Sequence, residues 1–101
     1  MKGVRENFSR YDTADYLNTE ADIAAYLEAC AEEAPNDAPF MLKALGTAAR
    51  ARNMSQLAEA TGMTRAGLYK ALSGEGNPSL ANTMKVAKAL GYRLALVPDH
   101  D

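Results

Sequence analysis

The residues best suited to chemistry in this sequence fall in one short run, Thr64-Arg65-Ala66-Gly67-Leu68-Tyr69-Lys70. At helical spacing Leu68 turns one way, while Arg65, Ala66, Tyr69 and Lys70 turn the other. An arginine fork fits the O6 and N7 acceptors of guanine, and an alanine methyl fits the thymine methyl. Tyrosine and lysine reach phosphate or sugar. That is the chemistry of reading a nucleic-acid groove. Arg65, Ala66 and Tyr69 are the candidate base readers, with Arg65 foremost. Gln56, Thr64, Lys70, Asn77 and Ser79 are candidates for holding the phosphate backbone, which helix N-termini also favour.

Catalysis has no comparable set. His100 is the only histidine, near the end of the chain, and Cys30 is the only cysteine. Cys30 sits on an apolar helix face, where a small buried hydrophobe is the expected role. Glu32-Glu33 are neighbours along a helix edge, not a facing acid/base pair, and Gly74 and Gly76 belong to a turn, not a phosphate loop. No catalytic residue, metal site or cofactor is expected. A lone cysteine rules out an intrachain disulfide and fits a reducing, cytoplasmic setting. No apolar run reaches membrane-spanning length, and no signal-like segment opens the chain.

The elements that must position the reading residues follow from caps and periodicity. Ser55 is expected to cap a first short helix, with Leu57, Ala58 and Thr61 facing inward and Gly62 stopping it. Met63 plugs the corner, and Thr64 caps the second helix, whose Leu68 and Leu72 are buried. Ser79 caps a last helix with Leu80, Met84, Ala87 and Leu90 on its inner face, ended by Gly91. Upstream, Thr19 and Asp22 form a capping box for a helix to about Glu33, bearing Ile23, Tyr26, Leu27 and Cys30 on one face. Asp37 and Pro39 open another, with Phe40, Met41, Ala44, Leu45, Ala48 and Ala49 as its stripe and Asn53 at its end. Residues 1–18 read as an irregular arm anchored by Phe8, Tyr11, Tyr16 and Leu17, with a short strand around 8–12 as one option.

Residues 92–97 switch to a period of two, with Tyr92, Leu94 and Leu96 on one side. A short C-terminal β-strand is expected there. It needs a partner, either the arm or the same strand of a second subunit, and in the second case Tyr92, Leu94 and Leu96 form a dimer seam.

At 101 residues the chain has room for one modest core, and its composition, 48% hydrophobic and 24% charged, is globular. The formal net charge of −2 hides a division. Residues 1–37 carry three basic and nine acidic side chains, while 38–98 carry eight basic and two acidic. An acidic N-terminal arm and helix (1–37), a basic DNA-binding domain (38–98) and a short tail (99–101) is the expected organisation. The basic part can neutralise phosphates, with Arg50 and Arg52 expected only to add to its long-range field, and the acidic helix is suited to steering a basic protein partner. Its apolar face is equally suited to completing the core.

The stretch Ser55 to Leu90, with Gly62, Leu68-Tyr69-Lys70-Ala71-Leu72-Ser73, Asn77-Pro78-Ser79-Leu80 and Val86-Ala87-Lys88-Ala89-Leu90-Gly91, resembles the lambda-repressor/Cro-like (XRE) helix-turn-helix superfamily. With Tyr11-Asp12, Asp15-Tyr16-Leu17, Ile23-Ala24-Ala25-Tyr26-Leu27 and Ala31, nearly the whole chain resembles the addiction-module antidote proteins, the HigA-like antitoxins. The resemblance implies an all-α, lambda-repressor-like five-helix domain with a helix-turn-helix. It further implies neutralisation of a RelE/ParE-like toxin and repression of the shared promoter by a homodimer on a palindromic operator in double-stranded DNA. Many superfamily members open the reading helix with glutamine; here Thr64-Arg65 stands instead, so no relative's operator carries over. Two other readings follow from the same residues: a stand-alone transcriptional regulator, and a protein-interaction domain whose helix-turn-helix is inert.

Overall fold

The computed structural model describes residues 13–99. The segment 1–12, with Phe8, Tyr11 and the optional strand, lies outside the described residues, as do His100 and Asp101. From Thr13 the chain forms a 3-10 turn, Thr13–Tyr16, and then five α-helices: α1 Glu20–Glu33, α2 Ala38–Arg52, α3 Met54–Thr61, α4 Arg65–Ala71 and α5 Leu80–Ala89. The described residues are all-helical, as expected, and contain no strand. No helix among them is long and apolar enough to cross a membrane.

Most helix starts lie where the side chains dictate. Thr19 Oγ1 accepts from Asp22 N at 3.0 Å while Asp22 Oδ2 accepts from Thr19 N at 3.2 Å, a reciprocal capping box. Asp37 Oδ1 accepts from Phe40 N at 3.0 Å, with Pro39 in the first turn of α2. The cap of α3 corrects the sequence expectation. It is Asn53, whose Oδ1 accepts from Gln56 N at 3.0 Å, and Ser55 lies within the first turn. Only one residue separates α2 from α3, so the residue that ends one helix also opens the next.

The centre of the molecule is α2. Its run Ala44-Leu45-Gly46-Thr47-Ala48-Ala49 is buried on every side, and most of it is small. Small side chains let neighbours approach from several directions at once. A Cβ on Gly46 would lie 2.9 Å from the Leu72 carbonyl oxygen and 3.3 Å from Leu72 Cβ, so a glycine is what lets the end of α4 seat against α2. Around this hub, α1 contributes Ile23, Leu27 and Cys30, α3 Met54, Leu57 and Ala58, α4 Leu68, and α5 Val86 and Leu90, all in one core. Cys30 is a buried free thiol, as its position on the apolar face implies. Burial pushes the Tyr26 phenol above its ordinary value of 10.0, opposed by a hydrogen bond with Thr47. Both sides of that balance belong to the α1–α2 interface.

Two further expectations are corrected by packing. Leu80 and Met84 are 68% and 49% exposed; the buried side of α5 is Val86, Ala87 and Leu90. Spacings of one, three and four residues place those three on one stripe, and Leu80 and Met84 fall on its flank. Arg52, expected only to add to a long-range field, is a structural tie. Its Nη2 donates to the Leu90 carbonyl at 2.8 Å and pairs with Glu20 Oε1, joining the ends of α1, α2 and α5.

The C-terminal strand is absent. Gly91 ends α5 at φ 94°, donating to Lys88 O at 2.9 Å while Tyr92 donates to Ala87 O at 2.8 Å, the paired bonds of a Schellman motif. Tyr92 packs against the core, but from there to Asp99 the chain has no regular structure. Alternation gives a segment two faces and nothing more; a strand also requires a neighbour to complete its ladder. No described segment supplies one.

Candidate nucleic-acid interface

The α3–α4 pair is fixed by local bonds at each step of the turn. Gly62 has φ 76° and ψ 13°, a left-handed conformation that glycine adopts without a Cβ penalty. Its N–H and that of Met63 close on α3, Gly62 to Glu59 O at 3.3 Å and Met63 to Ala58 O at 3.0 Å. Thr61 is buried with its hydroxyl bonded to Leu57 O at 2.9 Å and Ala58 O at 3.1 Å, which satisfies a polar group inside the corner. Met63 then packs on the core. Thr64 Oγ1 accepts from Gly67 N at 2.9 Å and starts α4.

This turn decides which side chains face outward. Leu68 is wholly buried, and Arg65, Ala66, Tyr69 and Lys70 are exposed along α4. All four sequence-assigned residues of this helix therefore share its solvent side. Gln56 is exposed in the first turn of α3. Thr64 and Ser79 are exposed and act as caps, Ser79 Oγ accepting from Asn82 N at 3.0 Å. Accepting a bond leaves each hydroxyl its own hydrogen to donate. Asn77 is exposed and lines a cleft of about 960 Å³, whose walls include Met41, Leu42 and Leu45 of α2 and residues 93–99. Gly67, costly inside a helix, stands close to the cap: a Cβ there would lie 3.0 Å from Thr64 Oγ1.

Arg65 and Tyr69 are brought together, the guanidinium carbon lying 5.9 Å from the ring centre. Arg50, by contrast, turns along its own helix, with Nη2 3.4 Å from Thr47 Oγ1. Between residues 38 and 98 the acids are Glu59 and Glu75, against eight basic side chains. Among the described residues no group of three or more histidine, cysteine or acidic side chains is placed to hold a metal.

The dimer candidates fall in the segment after α5. Leu94 is exposed and Leu96 wholly so, while Tyr92 is half-buried. Tyr92 and Leu94 line an apolar cleft of about 510 Å³ with Ala81 and Met84 of α5. Sequence reasoning missed Met84 and Leu80 as surface residues because it placed them on the inner stripe. Val86 was the available signal, since with Ala87 and Leu90 it defines a competing stripe.

A family model described as "probable addiction module antidote protein" matches residues 7–98. The chain belongs to that family. It is a family of antidotes, not enzymes, and an antidote implies a toxin partner. A relative in Haemophilus influenzae, an uncharacterized protein, is 49% identical over 90 residues, covering 89% of this chain and 91% of its own. No solved structure matches.

Proposed function

We propose that this antidote is a cytoplasmic antitoxin that neutralises a RelE/ParE-like toxin and represses its own promoter, with α3 and α4 acting as a lambda-repressor-like helix-turn-helix. The observation that carries the DNA-reading role is the outward face of α4, where Arg65, Ala66, Tyr69 and Lys70 are exposed opposite a wholly buried Leu68. A helix so anchored from behind presents its first turns to the major groove. Arg65 reads guanine, Ala66 approaches a thymine methyl and Tyr69 completes the base-facing surface. Gln56, Thr64, Lys70, Asn77 and Ser79 hold the backbone.

The acidic segment 1–37 and the basic segment 38–98 divide the work. Helix α1 buries Ile23, Leu27 and Cys30 and leaves Glu28, Glu32 and Glu33 exposed, a negative surface for a basic toxin. Two copies place two reading helices on successive major grooves of a palindromic operator, about 34 Å apart. Tyr92, Leu94 and Leu96 form the seam of that homodimer, supported by the exposure of Leu94 and Leu96 and by the apolar cleft that Tyr92 and Leu94 line with Met84.

A gel shift with the duplex upstream of the chain's own reading frame, at several salt concentrations, tests the reading. Specific binding that is lost in Arg65→Ala supports it. Wild-type protein that does not distinguish this duplex from a scrambled one refutes it.

A further inference from the structure

Arg65 and Tyr69 stand one helical turn apart on α4, with the guanidinium 5.9 Å from the ring centre. An aromatic face attracts a cation at this range. Helical side chains lean toward the N-terminus, so the ring at position 69 reaches back toward position 65, four residues before it. Among the described residues, that ring is the one charge or hydrogen-bonding partner of the Arg65 side chain.

A cation–π contact at this range draws on the guanidinium's charge and occupies no N–H donor as a hydrogen-bond donor, so the fork stays available to a base edge. An unsupported arginine at a surface samples many rotamers and gives them up on binding. A ring within cation–π range removes part of that loss in advance.

We infer that Tyr69 is a positioning residue: its ring holds the Arg65 guanidinium for a bidentate contact, and the pair selects guanine. This rests on the DNA-reading role proposed above, and it moves Tyr69 from touching a base to acting through Arg65. The ring is required and the hydroxyl is not.

The test compares wild type, Tyr69→Phe, Tyr69→Leu, Arg65→Ala and the Arg65→Ala/Tyr69→Leu double variant. Each is titrated with the upstream duplex and with a scrambled duplex, and circular dichroism confirms the helices. Tyr69→Phe binds as wild type. Tyr69→Leu weakens binding to the upstream duplex roughly two- to fivefold, as expected for an exposed cation–π contact, and leaves the scrambled duplex unaffected. In the Arg65→Ala background the same change has no further effect. In the free protein, the ring-current displacement of the Arg65 Hε resonance is present in wild type and Tyr69→Phe and lost in Tyr69→Leu. A Tyr69→Phe loss equal to that of Tyr69→Leu, or a Tyr69→Leu effect that persists without Arg65, overturns the positioning role alone. Equal wild-type affinity for the two duplexes overturns the DNA-reading role and this inference with it.

Discussion

The α3–α4 pair and the segment 92–97 are both strongly patterned in sequence, yet only one is regular structure. Each end of α3 and α4 meets a donor or acceptor within a few residues: Asn53, Thr61, Thr64 and the Gly62 turn satisfy the backbone locally. The segment 92–97 has the alternation of a strand, but its backbone partners must come from elsewhere, and no described segment provides them. Local hydrogen bonding makes a pattern into structure within one chain. A pattern that depends on a distant ladder waits for a neighbour. The first region thus fixes which side chains face outward, and the second offers apolar surface.

Stability measurements sharpen this contrast. Leu68→Ala removes a wholly buried side chain from behind the exposed face of α4 and should cost about 2–5 kcal/mol in denaturant unfolding. Leu96→Ala, at a fully exposed position, should leave the monomer within about 0.5 kcal/mol of wild type. Equal losses would erase the distinction between the regions. Gly46→Ala forces a Cβ against the Leu72 carbonyl and should cost about 1–3 kcal/mol by thermal unfolding. Gly62→Ala meets no atom within 4 Å, so its cost is that of a left-handed backbone alone, about 1–2 kcal/mol. A neutral Gly62→Ala would mean that the corner is not held in that conformation. Arg52→Ala removes the tie between Glu20 and Leu90 O and should cost about 1 kcal/mol, with the Glu20 contribution falling as salt rises.

Caps and breakers made much of the fold legible. Thr19-x-x-Asp22, Asp37-x-Pro39, Thr64, Ser79, Gly62 and Gly91 act over three or four residues, and each is where the sequence places it. The exceptions have a common cause. Asn53 rather than Ser55 caps α3 because two helices share one junction residue, a spacing that periodicity does not resolve. Leu80 and Met84 face solvent because the choice between two neighbouring stripes on α5 is made by the helices packed against it. Arg52 reaches residues 32 and 38 positions away, and Gly46 meets Leu72 across the core, contacts that no local spacing encodes. The candidate site was the most legible part, because a single heptad of α4 contains both its buried anchor and its exposed face. The Arg65–Tyr69 contact was open to view as a four-residue spacing, but only the side-chain placement joins the two.

The central claim is that α4 and its caps, not the acidic helix, meet DNA. Titration of isotope-labelled protein with the upstream duplex, followed by amide chemical shifts, measures this directly. The account predicts perturbations concentrated at Gln56 and 64–70 and at the start of α5, with Glu28, Glu32 and Glu33 of α1 unmoved. Perturbations centred on α1, with 64–70 silent, would contradict it.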